Sequence, residues 1–291
     1  MSENQNLILK NDDLIKTNQR LNEQIKSLII KNDELTTTVN ELEKKLIKGK
    51  KKDDENNFKV KGVTVLFIEF QGHKDIIDDA QSSESIYDKL DEIYIKFNEI
   101  AKKHKAERVK VIGDYYVCAG GIAEKNTTNS IDIALIALEI SEYLNTIYKS
   151  YQEEGKAFWN LRVGIHSGNG IVNVKGETNK SYTLTGEVIN TLPRIAAMSE
   201  PGEIYISDYT YELIKSYFNC DYVAELPAKY RGSLGLYKLK RIKKIYSKDR
   251  KKGILPNRDF MLKYLMRQFT DIERKVLDFF TRETTRAFVI S

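Results

Sequence analysis

Apolar positions follow more than one rhythm along this chain. Leucine recurs at every seventh residue, at Leu7, Leu14, Leu21, Leu28, Leu35 and Leu42. With these as d positions, the a positions are Asn11, Asn18, Ile25, Asn32, Val39 and Leu46. That seam predicts a coiled coil over residues 1–47. Asparagines at a favour a parallel, in-register dimer. Ile8, Ile15 and Ile29 fall at e and widen the stripe, so a larger bundle or packing on another protein stays open. Residues 48–57, KGKKKDDENN, are densely charged, hold no large apolar residue and read as a linker.

From residue 58 to 241 the rhythm changes. VTVLFIEF reads as a buried strand, and Ser85 to Lys103 as an amphipathic helix. ERVKVIG and YYVCAGG read as two strands around a tight turn at Gly113 and Asp114. Ile131 to Tyr151 is expected to be a helix, NLRVGIHSG a strand, and Glu187 to Met198 a short helix. EIYIS and GLYKLKR complete the set as strands. Strands and helices mix without strict alternation, which predicts an α+β sandwich with an antiparallel or mixed sheet. Residues 242–291 form a basic, helical extension, with apolar residues at helical spacing after Pro256. Packing onto the domain or a dimer mate is its plainest use; a regulator-binding or membrane-surface helix is the sharper one.

Composition narrows the class. The chain is 41% apolar and 31% charged, with a net charge of +5, too mild to argue for nucleic acid. Only Cys118 and Cys220 are present, without metal-like spacing, which suits two reduced thiols in a cytoplasmic protein. No signal-like N-terminus and no membrane-spanning apolar run is seen, so a soluble protein is expected.

The candidate chemistry lies in separate segments. Asn190 and Arg194 are four residues apart, so both leave one face of a helix. Their carboxamide and guanidinium suit a ribose oxygen and a phosphate oxygen gaining negative charge. Such a pair is common by chance and gains weight only from segments that ask for the same ligand. Glu69 ends the apolar run VTVLFI ahead of Gly72, and Asp114 sits between Gly113 and Tyr115. Carboxylates at strand ends beside glycine suit a divalent ion carrying phosphate. His166 in GIHSG reads as a packed structural residue, and His73 and His104 have no metal-like partners. No Ser/His/Asp or Cys/His set supports a nucleophilic mechanism.

In these segments the chain resembles the class III nucleotide cyclases, the adenylyl and guanylyl cyclase catalytic domains. VTVLFIEFQGHK resembles their first strand and phosphate loop, and ERVKVIGDYYVCAGG the hairpin of the second metal aspartate. LRVGIHSGNGIVNVKG, YTLTGEVINTLPRIAAMSEPGEIYIS and KYRGSLGLYKL follow in the family's order. The resemblance implies a ferredoxin-like mixed or antiparallel sheet with helices. It implies two divalent cations, Mg²⁺ or Mn²⁺, bound at Glu69, Phe70 and Asp114. Asn190 would orient the ribose and Arg194 would stabilise the transition state. Lys110 and Thr183 would read the base; Lys229, Gly72 and His73 would complete the substrate contacts. Lysine offers only donors and suits adenine N1, while a threonine hydroxyl can accept from the 6-amino group, so the pair points to ATP. The implied activity is conversion of ATP to 3′,5′-cyclic AMP and pyrophosphate in a homodimer joined through the coiled coil and the cyclase domain. The alternatives are a degenerate cyclase domain that binds nucleotide to regulate or scaffold a partner, and a coiled-coil assembly protein using the fold as a platform.

Several residues depart from the family pattern. Glu69 stands where the first metal aspartate would be, one methylene longer, which predicts weak, Mn²⁺-favoured turnover. His73 and Lys74 replace the usual Phe-Thr. Asn173 occupies a usual glycine position, where asparagine suits a turn at positive φ. Pro193 lies between Asn190 and Arg194, tolerable if that turn is the helix's first.

Overall fold

The computed structural model describes residues 57–71, 83–109, 115–123, 126–155, 158–176, 180–228, 232–249 and 251–268. The expected coiled coil (1–47), the linker up to residue 56, and the turn at Gly113 and Asp114 lie outside these residues.

The apolar run around VTVLFIEF belongs to a longer strand, β1, Asn57–Gln71. Helix α1 spans Ser83–Lys103. Strand β2, Ala106–Arg108, and β3, Tyr115–Gly120, pair antiparallel. Helix α2 spans Asn129–Glu153, and β4 runs Asn160–Lys175. Strand β5, Ser181–Thr185, leads into α3, Glu187–Met198. Then come β6, Ile204–Ser207, α4, Asp208–Ile214, β7, Phe218–Ala228, and β8, Gly232–Ile242. Helix α5, Arg258–Gln268, follows.

The strands form one mixed sheet in the order β2-β3-β1-β4-β6-β8-β7, with β5 on β4. Only the β4–β6 pairing among these strands is parallel. Alternation along β1 separates two cores, as a strand period of two requires. Leu66, Ile68 and Phe70 face a large core that includes Phe97 of α1 and Ile136 of α2. Val63, Val65 and Phe67 face a smaller one with Val188, Leu192 and Ala196 of α3. The sheet therefore has helices on both sides, and Glu69 continues the series that looks toward α3.

Helix α3 lies very close to β4. A Cβ at Gly164 would sit 3.0 Å from the Ala196 nitrogen and 3.1 Å from the Leu192 carbonyl oxygen. Only glycine allows that approach without moving backbone. Pro193 is inside this helix rather than in its first turn. It removes the N–H that the Ile189 carbonyl would otherwise receive, on a side of the helix where Pro193 itself is exposed.

Asn173 is not in a turn. It is an extended β4 residue paired with Asn57 and Thr183, and its Nδ2 donates to Asn57 Oδ1 at 2.9 Å. β4 runs straight through the position where a glycine turn was expected, so no positive φ is needed. Among the described residues Lys105 is the one non-glycine with positive φ, at 58°.

Polar groups thread the interior. Thr64 Oγ1 donates to Asn129 Oδ1 at 3.1 Å and shares hydrogen bonds with Ser167, which reaches Thr210. His166 is buried, its Nδ1 2.8 Å from Ser207 Oγ. The C-terminal extension packs on the domain through α5: Phe260 is fully buried among the rings of Tyr217, Phe218 and Tyr246.

Candidate functional site

Glu69 is half-buried near the end of β1. Its register partners are Tyr115 on β3 and Arg162 on β4. Directly paired residues share a sheet face, so all three look the same way. The Phe67 and Tyr115 rings meet beside it at a tilt of 36°, with centroids 4.8 Å apart. Gln71, two residues on, also shares the face; its Nε2 donates to Glu69 Oε2 at 3.3 Å. Arg162 Nε donates to Gln71 Oε1 at 2.8 Å, and Arg162 Nη1 to the Ala197 carbonyl in the last turn of α3. The glutamate is thus the end of a relay anchored on the helix that carries Asn190 and Arg194. Gln71 and Arg162 were not singled out from sequence. A guanidinium inside the apolar strand NLRVGIHSG was the available signal, since a buried-strand arginine needs acceptors.

Phe70 points into the opposite core. Its ring lies 5.6 Å from Tyr94, 6.0 Å from Trp159 and 6.1 Å from Phe97. Its side chain is committed to packing, which leaves the main-chain carbonyl as its means of meeting an ion. Asp114 lies outside the described residues, but it is bonded to Tyr115, the register partner of Glu69. A second carboxylate therefore enters the chain one residue from the position opposite the first. Oxygen donors of this kind fit a hard divalent cation. Among the described residues alone, no group of three or more His, Cys, Asp or Glu is placed to hold a metal.

Thr183 is half-exposed in the middle of β5. Val109 and Tyr182 form a parallel bridge, so Thr183 and Lys110 each follow a bridged residue. Lys110 itself lies outside the described residues, as do Gly72, His73 and Lys229.

Asn190 and Arg194 lie on α3 away from its buried Val188, Leu192, Ile195 and Ala196. Asn190 is exposed and Arg194 half-exposed. Gly186, at φ 114°, turns the chain from β5 into this helix, and its carbonyl accepts from the Asn190 nitrogen at 3.2 Å. Arg194 Nη2 donates to the Pro227 carbonyl at the end of β7, two residues before Lys229. Among the described residues no hydrogen bond or ion pair joins Asn190 or Arg194 to Glu69 or Thr183. One chain thus presents two groups of candidate residues, one at the β1–β3–β4 end and one on α3.

The family model described as the adenylate and guanylate cyclase catalytic domain matches residues 56–241. Guanylyl cyclase C of Homo sapiens is 32% identical over 165 residues, covering 56% of this chain and 15% of that protein. Guanylate cyclase soluble subunit alpha-1 of Rattus norvegicus is 30% identical over 153 residues, covering 53% of this chain and 21% of the relative. The chain thus spans a fifth or less of the length of the first such relatives. The guanylate cyclase domain of RhGC from Catenaria anguillulae, solved with GTP, is 27% identical with a TM-score of 0.55. That match covers 64% of this chain and 100% of that one. The catalytic core of a rhodopsin-guanylyl cyclase with converted specificity, solved with ATPalphaS, gives the same identity and TM-score, over 64% and 98%. The adenylyl cyclase CyaB from P. aeruginosa shares the fold at 22% identity and a TM-score of 0.56, over 63% and 95%.

Proposed function

The chain belongs to the class III adenylyl and guanylyl cyclase catalytic-domain family, and from that premise we propose that it converts ATP to 3′,5′-cyclic AMP and pyrophosphate at a homodimer interface. The choice of ATP rests on the chemistry of Lys110 and Thr183, and the Val109–Tyr182 bridge, one residue before each in the chain, supports their acting together. A lysine donor meets adenine N1, and the threonine hydroxyl accepts from the 6-amino group. Guanine carries a donor at N1 and would call for a carboxylate at residue 110.

Glu69, the Phe70 carbonyl and Asp114 would hold two divalent cations, Mg²⁺ or Mn²⁺. Bound there, the ions supply charge neutralisation at the triphosphate and activation of the ribose 3′-hydroxyl. The protein's own residues position the substrate. Asn190 orients the ribose through its carboxamide, and the Arg194 fork meets charge developing on the α-phosphate. Gly72, His73 and Lys229 contact the phosphates. Glu69 looks toward α3 from the sheet, while Asn190 and Arg194 sit on the side of α3 away from that core, which supports a site completed by a second copy, with Glu69 and Asp114 of one protomer facing the α3 of its partner. The coiled coil over residues 1–47 would hold the two copies in register, and a shift in it would change how the half-sites meet.

The first relatives, which are guanylyl cyclases, favour a second reading, guanylyl cyclase activity. Purified full chain supplied with ATP or GTP, and with Mg²⁺ or Mn²⁺, distinguishes the two by the cyclic nucleotide formed. Nucleotide binding without turnover under every condition would favour the degenerate-domain reading.

A further inference from the structure

The catalytic reading leaves unused a strongly cationic stretch near the end of the chain. Residues 243–268 carry nine basic and two acidic residues, a net +7 within a chain of net +5. The remainder of the protein is therefore slightly acidic, and the positive charge is concentrated here. All of it but residue 250 lies among the described residues. After β8, a short hairpin closes through Lys248 N to the Leu255 carbonyl and Asn257 N to the Tyr246 carbonyl, both at 2.9 Å. One of the two acids, Asp249, is turned inward on this hairpin. It accepts from Ser247 Oγ at 2.5 Å and from the Ile254 and Leu255 nitrogens at 3.0 and 3.2 Å. Its carboxylate organises the loop, and of the lysines it acts on Lys252.

The inner side of the segment is fixed to the domain by Phe260 and Tyr246, and by the Ile242 nitrogen on the Gly253 carbonyl at 2.7 Å. The outer side is apolar and cationic together. Ile245 is 67% exposed, the most exposed of the large apolar residues among those described, and Leu255 is 55% exposed. Lys244, Lys248 and Lys251 are exposed around them and have no acidic partner among the described residues. Met261 and Leu265, one turn apart on α5, extend the apolar exposure along the same segment.

We propose that this hairpin and the outer face of α5 dock on an anionic lipid bilayer surface. Lysines above a negatively charged headgroup layer gain electrostatic attraction, and aliphatic side chains between them gain by entering the acyl boundary. Protruding aliphatic residues distinguish this surface from a nucleic-acid groove, where aromatic rings would stack on bases. Peripheral docking requires no spanning segment, and no described helix is long and apolar enough to cross a membrane.

The test is co-sedimentation of the full chain with phosphatidylcholine vesicles and with vesicles containing about 30% phosphatidylserine. Binding is expected on the anionic vesicles and to weaken as salt rises. Ile245→Asp with Leu255→Asp is expected to lower partitioning at least about tenfold, as is Lys244→Gln with Lys248→Gln and Lys251→Gln. Lys175→Gln, on β4, is expected to bind as the parent does. Unchanged thermal midpoints separate loss of docking from loss of folding, and the two variant sets fail independently. Equal binding to neutral vesicles, no binding to anionic ones, full retention by either set, or preference for duplex DNA over vesicles overturns the proposal.

Discussion

The Arg194 guanidinium is held by the main-chain carbonyl of Pro227. One donor therefore fixes the side chain against the strand that leads to Lys229, and the rest of the fork stays half-exposed on α3. An arginine poised this way meets a ligand with little loss of side-chain freedom. If it acts on charge that develops only during reaction, Arg194→Ala lowers kcat by about 100- to 1,000-fold with little change in KM. Arg194→Lys should recover little, because an ammonium cannot satisfy both the carbonyl and a phosphate oxygen. Steady-state kinetics on the nucleotide that is turned over provide the check; an effect confined to KM would assign Arg194 to ground-state binding.

Glu69 is tethered through Gln71 to Arg162. The relay limits where the longer carboxylate can go, which matters most for Mg²⁺ with its strict octahedral geometry. Turnover is expected to be faster with Mn²⁺ than with Mg²⁺, and Glu69→Asp to raise the Mg²⁺-supported rate. Gln71→Ala and Arg162→Ala are expected to weaken Mn²⁺ binding, read directly by electron paramagnetic resonance of the free ion without turnover. Equal rates with the two ions in the parent protein would remove the argument from side-chain length.

Lys110→Glu replaces a donor by an acceptor and is expected to shift the ratio of cyclic AMP to cyclic GMP production toward the latter by about tenfold or more. If the parent protein already makes cyclic GMP preferentially, the assignment from Lys110 and Thr183 is wrong.

Gly164→Ala tests how α3 is positioned. The added methyl would meet backbone at 3.0 and 3.1 Å, which no rotamer change relieves. A destabilisation of about 1–3 kcal/mol is expected from such overpacking. Activity should fall more than thermal stability alone explains, since the displaced helix carries Asn190 and Arg194. Denaturant unfolding and kinetics on the same preparation measure both.

Asp132 gives a pH dependence to stability. It is only 3% exposed, with Tyr264 Oη at 2.6 Å and Thr128 Oγ1 at 3.0 Å. Burial pushes its carboxyl above the ordinary 3.8, and the Tyr264 and Thr128 hydrogen bonds only partly oppose that. The native state therefore holds this proton to higher pH than the unfolded chain does. Its contribution to stability is full below 3.8, falls as pH rises through the raised value, and is flat above. Asp132→Asn should abolish that slope. Tyr264→Phe, which removes a donor to a buried carboxylate, should cost about 1–3 kcal/mol at neutral pH and loosen α5. Denaturant melts across the acid range would show both.

How much was legible beforehand varies from element to element. The helix Glu187–Met198 was readable to the residue because its apolar positions repeat at helical spacing and Gly186 precedes it. The pattern gave no expectation for β7, whose alternation is broken by irregular register at Asn219 and Cys220 and again at Tyr222 and Ala224. Helix α4 is too short, at seven residues, to display a period. Asn173 was misplaced because a local preference for positive φ cannot anticipate that β4 continues and is paired on both sides.

The sequence by itself carried the resemblance to the family through five segments in the family's order, its local periods indicated the α+β class, and its functional groups supplied the candidate side chains. Tertiary structure decided their relationships. It set Glu69 on the α3 side of the sheet, tied it through Gln71 and Arg162 to the end of that helix, and held Arg194 on Pro227. It also sorted the C-terminal segment into an inner face built on Phe260 and an outer face of lysines, Ile245 and Leu255. Such relationships arise from register and packing between segments as far apart in the chain as Phe67 and Leu192, and no local pattern encodes them.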